Sequence, residues 1–386
     1  MNEKEGVPVT DPTPVRCPAI ADPGAGLADP ADFAPLLARL AAAGEVAAPE
    51  VFPRGTVQPD GRLDLCKQGL GPAQTARIVA AAVESPLVRH LLLGTNGLGA
   101  EGARAVAGAL RPGHHVETLY LGCNRIDPDG LDALATRLAT DGTVRALWLK
   151  RNPVGDDGVA RLAAALAANT TIRTLDLVNV GMTARGLTVL AAALAARPAR
   201  LQRLYLGGNG FGPEAVPALG TLIHAAGVPE IYLAANRLGD AGAAALAELA
   251  DGVALTLGLG GNGLSPAGAA ALARHLGAWT ALDLARPPSE RSLGAAGNVV
   301  ADEGAYALAD ALGGARLRRL DLRRTEIGGR GARRLVAAVA GHPTMAYLGL
   351  NGGVPRKQRR KAAQLLAGQP VPVPHADVRA IASVYR

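Results

Sequence analysis

Short segments in which leucine alternates with other residues recur along most of this chain of 386 residues. In "ALWLKRNPVGDDG", Leu147 and Leu149 flank Trp148, which is the pattern of a strand with one buried face. Seven such segments are closed by a turn position, usually Asn, and these positions are 96, 124, 152, 180, 209, 236 and 262. One earlier copy and three later copies bring the total to eleven units of about 28 residues.

A segment rich in alanine and leucine follows each predicted strand and has the spacing of a helix. In "DDGVARLAAALAANTT", Leu162 and Leu166 share one helical face, and Asp156 or Asp157 is placed to cap the helix start. One strand and one helix cannot bury their own apolar surface, but stacked copies can. Because helices join successive strands, the strands should be parallel. Strands are spaced at about 4.8 Å and helices at about 8–10 Å, so the stack must curve with its strands on the concave side.

These repeats resemble leucine-rich repeats of the ribonuclease-inhibitor subtype, whose pattern is Leu-x-x-Leu-x-Leu-x-x-Asn-x-Leu. The resemblance covers roughly residues 61–354. It implies an α/β fold, a curved solenoid or horseshoe with parallel strands on the concave face and helices on the convex face. It also implies that the concave face binds other proteins. The Asn of the family is missing at five turn positions, which leaves the turn geometry open at Gln68, Val180, Pro287, Thr325 and Gly353.

In a fold of this kind, the residue between the two leucines points into the concave face. Four of the eleven aromatic residues share this position, namely Tyr120, Trp148, Tyr205 and Tyr232, and Asp176 lies between the two pairs. Rings on neighbouring strands lie about 5 Å apart, so we expect a solvent-exposed aromatic stripe that anchors a partner. The alternative is that the rings only cover the sheet and stabilise one another by cross-strand pairing.

A longer step interrupts the array near its C-terminal end. Asn298 follows Asn262 by 36 residues, eight more than 28, and the extra residues lie in "ARPPSERSLGAAGN", 285–298. An insertion in a regular array maps to a loop on one rim. We hypothesise that this loop overhangs the groove and that Arg286 and Arg291 contact the partner; a neutral insertion is the alternative. The predicted partner site combines four aromatic anchors with acidic and basic residues: Tyr120, Trp148, Lys150, Arg151, Asp176, Tyr205, Tyr232, Asp283, Arg286, Arg291, Asp321, Arg323 and Arg324.

Positive charge is concentrated at the C-terminal end. From Arg286 onward the chain has 17 Lys and Arg against 7 Asp and Glu, a net charge of +10, whereas the whole chain carries +7. The basic segment 355–368 would attract an acidic protein or nucleic acid, or it is a polar cap helix that closes the stack. No aromatic residues interleave with it, which disfavours nucleic-acid binding. Arginine outnumbers lysine 35 to 5, a skew typical of GC-rich codon usage and of a bacterial source.

The regions outside the repeats have simpler predictions. We expect residues 1–60 to comprise a disordered arm over 1–30 and a capping helix over 29–46 that covers the first repeat. Residues 355–386 should form the basic cap helix and a tail. The tail, "QPVPVPHADVRAIASVYR", should begin extended and end in a short helix, and two placements are open: docked against the last repeat or free.

Features of other protein classes are weak in this sequence. Cys17, Cys66 and Cys123 are odd in number and far apart, so we expect reduced thiols rather than disulfides or a zinc site. We find no signal peptide and no run of 18 apolar residues, and we therefore expect a cytoplasmic protein that does not cross a membrane. No lysine follows a glycine, so a phosphate-binding loop is absent, and the histidines form no cluster with metal-ligand spacing.

Together these patterns predict a monomeric scaffold that recognises an unknown protein on its concave face. We expect it to be no enzyme and to bind no cofactor and no metal. Two alternatives stay open. The repeat subtype is similar to that of Ran GTPase-activating proteins, which implies a regulatory action on the nucleotide chemistry of a partner. The basic C-terminal end would instead bind nucleic acid, with a steep dependence on salt.

Overall fold

A computed structural model describes residues 11–17, 22, 26–42, 44–287, 293–370 and 373–385 of the chain. Within this part of the chain, thirteen strands form one sheet in sequence order. The strands are β1 Glu50–Val51, β2 Thr56–Val57, β3 Arg62–Asp64, β4 His90–Leu92, β5 Thr118–Tyr120, β6 Ala146–Trp148, β7 Thr174–Asp176, β8 Arg203–Tyr205, β9 Glu230–Tyr232, β10 Thr256–Gly258, β11 Ala281–Asp283, β12 Arg319–Asp321 and β13 Tyr347–Gly349.

Helices alternate with the strands from β3 onward. The α-helices are α1 Ala34–Ala41, α2 Gly71–Glu84, α3 Gly99–Ala109, α4 Pro128–Leu138, α5 Gly155–Ala168, α6 Ala184–Ala196, α7 Val216–His224, α8 Gly239–Leu249, α9 Pro266–Ala273, α10 Ala301–Leu312, α11 Gly329–Ala338, α12 Arg356–Leu366 and α13 Ala376–Arg379. Short 3-10 helices cover Pro30–Phe33, Pro213–Ala215, Leu276–Ala278 and Ala382–Tyr385.

Eleven strands, β3 to β13, are parallel and correspond to the eleven predicted units. Their register follows the repeat, because Leu119 of β5 pairs with Leu91 of β4 and with Leu147 of β6. The helices form a second layer, so the molecule is the curved solenoid that the repeats predict. The hairpin of β1 and β2 extends the sheet antiparallel beside β3, within the region that we predicted as an arm and a helix.

The core lies between the strand layer and the helix layer. Leu147 and Leu149 of one repeat, together with Leu162 and Leu166 of α5, are fully buried there. Burial of each such leucine side chain stabilises the fold by about 1.5–3 kcal/mol. Asp156 does not cap α5 as predicted; its carboxylate instead accepts hydrogen bonds from the Thr183 N–H and hydroxyl, at 2.8 and 2.7 Å, at the start of the next helix. This carboxylate therefore joins neighbouring repeats.

The repeated asparagines form a ladder of hydrogen bonds along the turns. The Asn124 amide group donates to the carbonyls of Leu93 and Leu121, at 2.9 and 3.0 Å, and its Oδ1 accepts from the Asn96 N–H at 2.7 Å. Asn152 makes the same contacts one repeat further on. Buried backbone groups that the short strands leave unpaired are satisfied in this way.

The structure explains one of the positions that lack the expected Asn and describes the hydrogen bond that remains at another. Pro287 is not the turn residue of its repeat, because Asn298 takes that place and donates to the carbonyls of Leu259 and Leu284, at 2.8 and 3.1 Å. The insertion therefore lies between β11 and its turn. At Val180, only the backbone part of the ladder is kept: its N–H donates to Oδ1 of Asn209 in the following repeat, at 3.0 Å, as the Asn96 N–H does to Asn124.

The two ends of the stack are covered by helical segments. Asp29 caps the 3-10 helix Pro30–Phe33, which continues into α1, and Phe33 and Leu36 are buried in the main core. The predicted capping helix is thus present, although it ends at Ala41. At the other end, α12 buries only Ala362 and Leu366, so its basic face stays in solvent.

Candidate functional site

Side chains of the parallel strands alternate between the core and the concave face. The middle residue of each strand is buried in the core, and the first and third residues line the concave face. The third residues form a central row: Asp64, Leu92, Tyr120, Trp148, Asp176, Tyr205, Tyr232, Gly258, Asp283, Asp321 and Gly349. The first residues form a flanking row: Arg62, His90, Thr118, Ala146, Thr174, Arg203, Glu230, Thr256, Ala281, Arg319 and Tyr347.

Three aromatic rings of the central row contact one another. The ring centroids of Tyr205 and Tyr232 are 4.5 Å apart and the rings are stacked, with 8° between their planes. Trp148 and Tyr205 have centroids 5.3 Å apart, although β7 separates their strands. The two rings therefore lean toward each other across Asp176. The Lys150 ammonium lies 5.6 Å from the centroid of Tyr120.

Asp176 is a carboxylate enclosed by these rings. Burial raises the pKa of Asp176 to about 6, even though the charge of Lys150 and a hydrogen bond from the Val178 N–H act in the opposite direction. Burial likewise raises the pKa values of the Tyr205 and Tyr232 hydroxyls. The centre of the concave face therefore holds a buried carboxylate that is protonated below about pH 6 and carries an energetically unfavourable charge above it.

A segment near the C-terminal end of the chain lies on this surface. We call residues 375–385, which contain α13 and the last 3-10 helix, the docked segment. The Asp377 carboxylate accepts hydrogen bonds from Arg173 Nη2 and Nε, at 2.8 and 3.0 Å, and from the Thr174 hydroxyl at 2.7 Å. Ile381 is buried in a separate apolar cluster whose other members are Leu92, Tyr120, Ala146 and Trp148.

The docked segment corrects two predictions. Tyr120 and Trp148 are only 3% and 2% exposed, so the expected solvent-exposed stripe is wrong for these two rings, whereas Tyr205 and Tyr232 are half-buried. The physical reason is that Ile381, with Val378 and Val384 at its sides, removes them from water. The tail is neither free nor docked against the last repeat, because it lies on strands β4 to β7.

The N-terminal arm also contacts the solenoid, along the turns that follow the strands. The Thr13 hydroxyl donates to the Asn209 carbonyl at 3.1 Å, and the Arg16 N–H donates to Asn179 Oδ1 at 2.9 Å. Cys17 and Cys123 form a disulfide with their Cα atoms 5.6 Å apart. The prediction of disorder is therefore wrong for residues 11–17.

The disulfide also corrects the prediction that all thiols are reduced. Its cysteines are 106 residues apart in sequence, and only folding brings them together. Because disulfides are typical of oxidising compartments, the cysteines no longer support a cytoplasmic location. Cys66 is a free thiol, and burial raises its pKa to about 12, so it is unreactive as a nucleophile near neutral pH.

One predicted acidic residue of the last repeats, Asp321, forms ion pairs with two arginines. Asp321 is fully buried, and its carboxylate is paired with Arg319 and Arg323, each at 2.9 Å. The Arg319 guanidinium lies 4.1 Å above the ring of Tyr347. Asp283 is half-buried next to Asp321, and burial, together with the charge of Asp321, raises its pKa to about 6.

The other predicted residues lie on the rim that follows the strands. Arg151 is half-buried, and Arg324 is exposed. The Arg286 N–H donates to the Arg323 carbonyl at 3.0 Å, which fixes the start of the inserted loop to the next repeat. Arg291 lies outside the described residues. At the end of the loop, Leu293 is buried against Gly208, where an added Cβ would meet its side chain.

Sequence reasoning found the central row but not the flanking row. The two-residue period that selects Trp148 also selects Ala146 and Thr174, which contact the docked segment. No periodic signal pointed to Arg173 or Asp377, because their pairing joins residues 204 apart in sequence.

The described part of the chain contains no group of three or more His, Cys, Asp or Glu side chains that could hold a metal ion. It also contains no helix that is long and apolar enough to span a membrane.

Comparisons with known proteins agree with the repeat architecture. The Leucine Rich repeat family matches residues 114–135 and 317–336. The chain thus has the fold of a leucine-rich-repeat solenoid. The solenoid is similar to a chain in the "Crystal structure of Rad7 and Elc1 complex in yeast", with a TM-score of 0.50 and 14% identity, over 76% of this chain and 70% of that chain. It is also similar to actin-binding site 2 of leiomodin-1, with a TM-score of 0.30 and 16% identity, over 46% and 85%. No curated protein sequence matches the chain.

Proposed function

We propose that this leucine-rich repeat solenoid recognises a segment of a partner protein on its concave face. The docked segment carries the proposal, because it is a peptide held there by an ion pair, a hydrogen bond from Thr174 and apolar contacts to Trp148. A preformed sheet loses little conformational entropy when a peptide binds to it.

Two further observations support this function. The stacked rings of Tyr205 and Tyr232 continue the apolar surface beyond the buried cluster, and half-buried tyrosines are frequent hot spots in interfaces. The yeast chain with a similar fold was crystallised in the complex of Rad7 and Elc1, which agrees with protein binding by such a solenoid. We also assign the repeats to the ribonuclease-inhibitor subtype, because the repeats pair their strands with helices. No reaction step is part of the proposal.

Site-specific cross-linking tests the proposal. A photo-reactive amino acid replaces either Arg323, beside the concave face, or Arg333, which is exposed on helix α11 of the same repeat. In an extract of the source cell, we expect a protein to be cross-linked from position 323 and not from position 333.

The protein identified in this way is then purified and titrated. Tyr232→Ala should weaken its binding by about 5- to 30-fold, since loss of a tyrosine hot spot costs about 1–2 kcal/mol. Arg333→Ala is the matched control and should leave the affinity unchanged. Equal cross-linking from both positions, or an unchanged affinity of the Tyr232→Ala variant, would contradict recognition on the concave face.

A further inference from the structure

The docked segment contacts the concave face at two points that are four residues apart. Asp377 makes a two-pronged ion pair with Arg173, and Ile381 is buried against Trp148 and Tyr120. A separation of four residues places both side chains on one face of a helical segment. The docking surface therefore binds a segment in which an acidic residue is followed four positions later by an aliphatic residue.

The flanking row has a gap at the position that Ile381 occupies. Ala146 is flanked by Thr118 and Thr174, and it is fully buried in the same cluster as Ile381. A larger side chain at position 146 would reduce the space for this isoleucine. The small side chain of Ala146 accommodates the aliphatic residue of the docked segment. The guanidinium of Arg173, one strand further along the sheet, pairs with its acidic residue.

The docked segment fills this surface imperfectly. On the solenoid, the indole N–H of Trp148 and one guanidinium nitrogen of Arg203 are buried, and neither has a hydrogen-bond partner in the described part of the chain. A buried donor without an acceptor costs free energy. A ligand that brings one more acceptor, such as a second carboxylate or an amide, would bind the same face more tightly than the docked segment does.

The connection to the solenoid allows the docked segment to leave without unfolding any repeat. Helix α12 ends at Leu366, and the chain reaches α13 through a linker that contains three prolines. Val373 of this linker is 70% exposed. Such a tether keeps the docked segment at a high effective concentration, so an outside ligand must compete with it.

We propose that the docked segment is an internal ligand of the partner site. The external partner that displaces it presents a short helical segment with Asp or Glu at one position and an aliphatic residue four positions later. This inference rests on the proposed function, and it adds the class of ligand and the means by which access to the site is controlled.

A synthetic peptide with the sequence of residues 373–386 and a fluorescent label is the probe. It is titrated by anisotropy against the full chain and two variants, Ile381→Glu, which places a charge in the apolar cluster, and Ala382→Glu, which changes an exposed neighbour. We expect the peptide to bind Ile381→Glu at least tenfold more tightly than it binds either the unaltered chain or Ala382→Glu. Equal binding to all three would overturn the inference.

Substitutions within the peptide test which of its side chains the docking surface recognises. In the peptide, replacement of the Asp that corresponds to Asp377 by Asn, or of the Ile that corresponds to Ile381 by Ala, should weaken binding to the Ile381→Glu chain at least tenfold. Replacement of the exposed Arg that corresponds to Arg379 by Ala should change binding less than twofold. Equal effects of all three replacements would refute the proposed acid-and-aliphatic pattern.

A cleavable form of the protein provides a control in case the Ile381→Glu variant misfolds. A protease site inserted at 369–372 of the full chain allows the docked segment to be cut free after folding, and the probe should then exchange into the site. No exchange after complete cleavage would overturn the inference while leaving the cross-linking result at Arg323 intact. Conversely, probe binding to the opened chain with equal cross-linking from positions 323 and 333 would overturn the proposed function alone.

Discussion

Replacement of Asp176 by Asn should remove a pH dependence from the stability of the central repeats. The carboxylate is enclosed between the rings of Trp148 and Tyr205, and burial raises its pKa from 3.8 to about 6. An acid whose pKa is raised in the folded state holds its proton more tightly there than in the unfolded chain. The contribution of Asp176 to stability is therefore most favourable at low pH, and it falls as the pH rises from about 4 to about 6.

The magnitude follows from the rise in pKa. Because one pKa unit corresponds to about 1.36 kcal/mol, ionisation of Asp176 costs the folded state about 3 kcal/mol at pH 7.5. Asn keeps the shape and the oxygen that accepts from the Val178 N–H at 2.8 Å, but it cannot ionise. About 0.5 kcal/mol of this cost is already present at pH 4, so the stability of Asp176→Asn relative to the unaltered chain should be about 2.5 kcal/mol more favourable at pH 7.5 than at pH 4.

Native-state hydrogen exchange measures this difference locally. The N–H groups of Leu149 and Leu177 donate to carbonyls across β7 and β8, at 2.9 Å each, so their exchange reports the opening of these repeats. Asp157→Asn, at an exposed position on α5, is the matched control and should show no such change with pH. If the free energies of opening of Asp176→Asn and the unaltered chain differ by the same amount at both pH values, the carboxylate is not held in a desolvated site.

Three further predictions concern the disulfide, the turns and the docked segment. Reductant should lower the melting temperature of the unaltered chain and leave that of Cys17→Ser unchanged. The disulfide between Cys17 and Cys123 joins residues 106 apart in sequence, and closing such a loop stabilises the fold by up to about 4–5 kcal/mol. Equal shifts in the two proteins would exclude a stabilising disulfide. Asn124→Ala should lower the free energy of unfolding by about 2–4 kcal/mol, since it removes three buried hydrogen bonds and leaves the Asn96 N–H without its acceptor. Thr325→Ala removes one hydrogen bond, to the Leu322 carbonyl, and should cost less in the same denaturation experiment. An equal or smaller loss for Asn124→Ala would refute the ladder. Burial raises the pKa of Asp377, but the hydrogen bonds that it accepts outweigh this effect and keep the pKa below its usual value, so docking should be stable at neutral pH and weaken as the pH falls through that lowered pKa. Asp377→Asn should accordingly accelerate tryptic cleavage after Arg379 about tenfold at pH 7.5, and an unchanged rate would contradict this role.

The repeat architecture was predictable because its signals are local and recur. Leu147 and Leu149 define a strand, Leu162 and Leu166 define a helix, and the same spacing returns about every 28 residues. Each repeat needs only its neighbours to bury its apolar face, so no distant contact was required to infer the fold. The inserted loop shows the limit of this reasoning, because the turn residue of its repeat, Asn298, lies beyond the insertion.

The covering of the concave face was not predictable in the same way. The pairing of Arg173 with Asp377 and the bond between Cys17 and Cys123 join segments that share no repeat. Such contacts occur once in the chain, so periodicity carries no information about them. The burial of Trp148 followed from these contacts and not from its own repeat, which is why its exposure was the prediction that proved wrong.

The linker between Leu366 and Asp377 has a mechanical consequence for the horseshoe. It runs from the end of α12, which packs on the last repeat, to β7 near the middle of the array. Its eleven peptide steps reach at most about 40 Å, and six strand spacings along the face amount to about 29 Å, so its length is sufficient for this span but sets an upper limit to it. While Asp377 is bound to Arg173, the linker limits how far the last repeat can move away from β7. Release of Asp377 would remove this limit, and the C-terminal half of the array could then bend more freely.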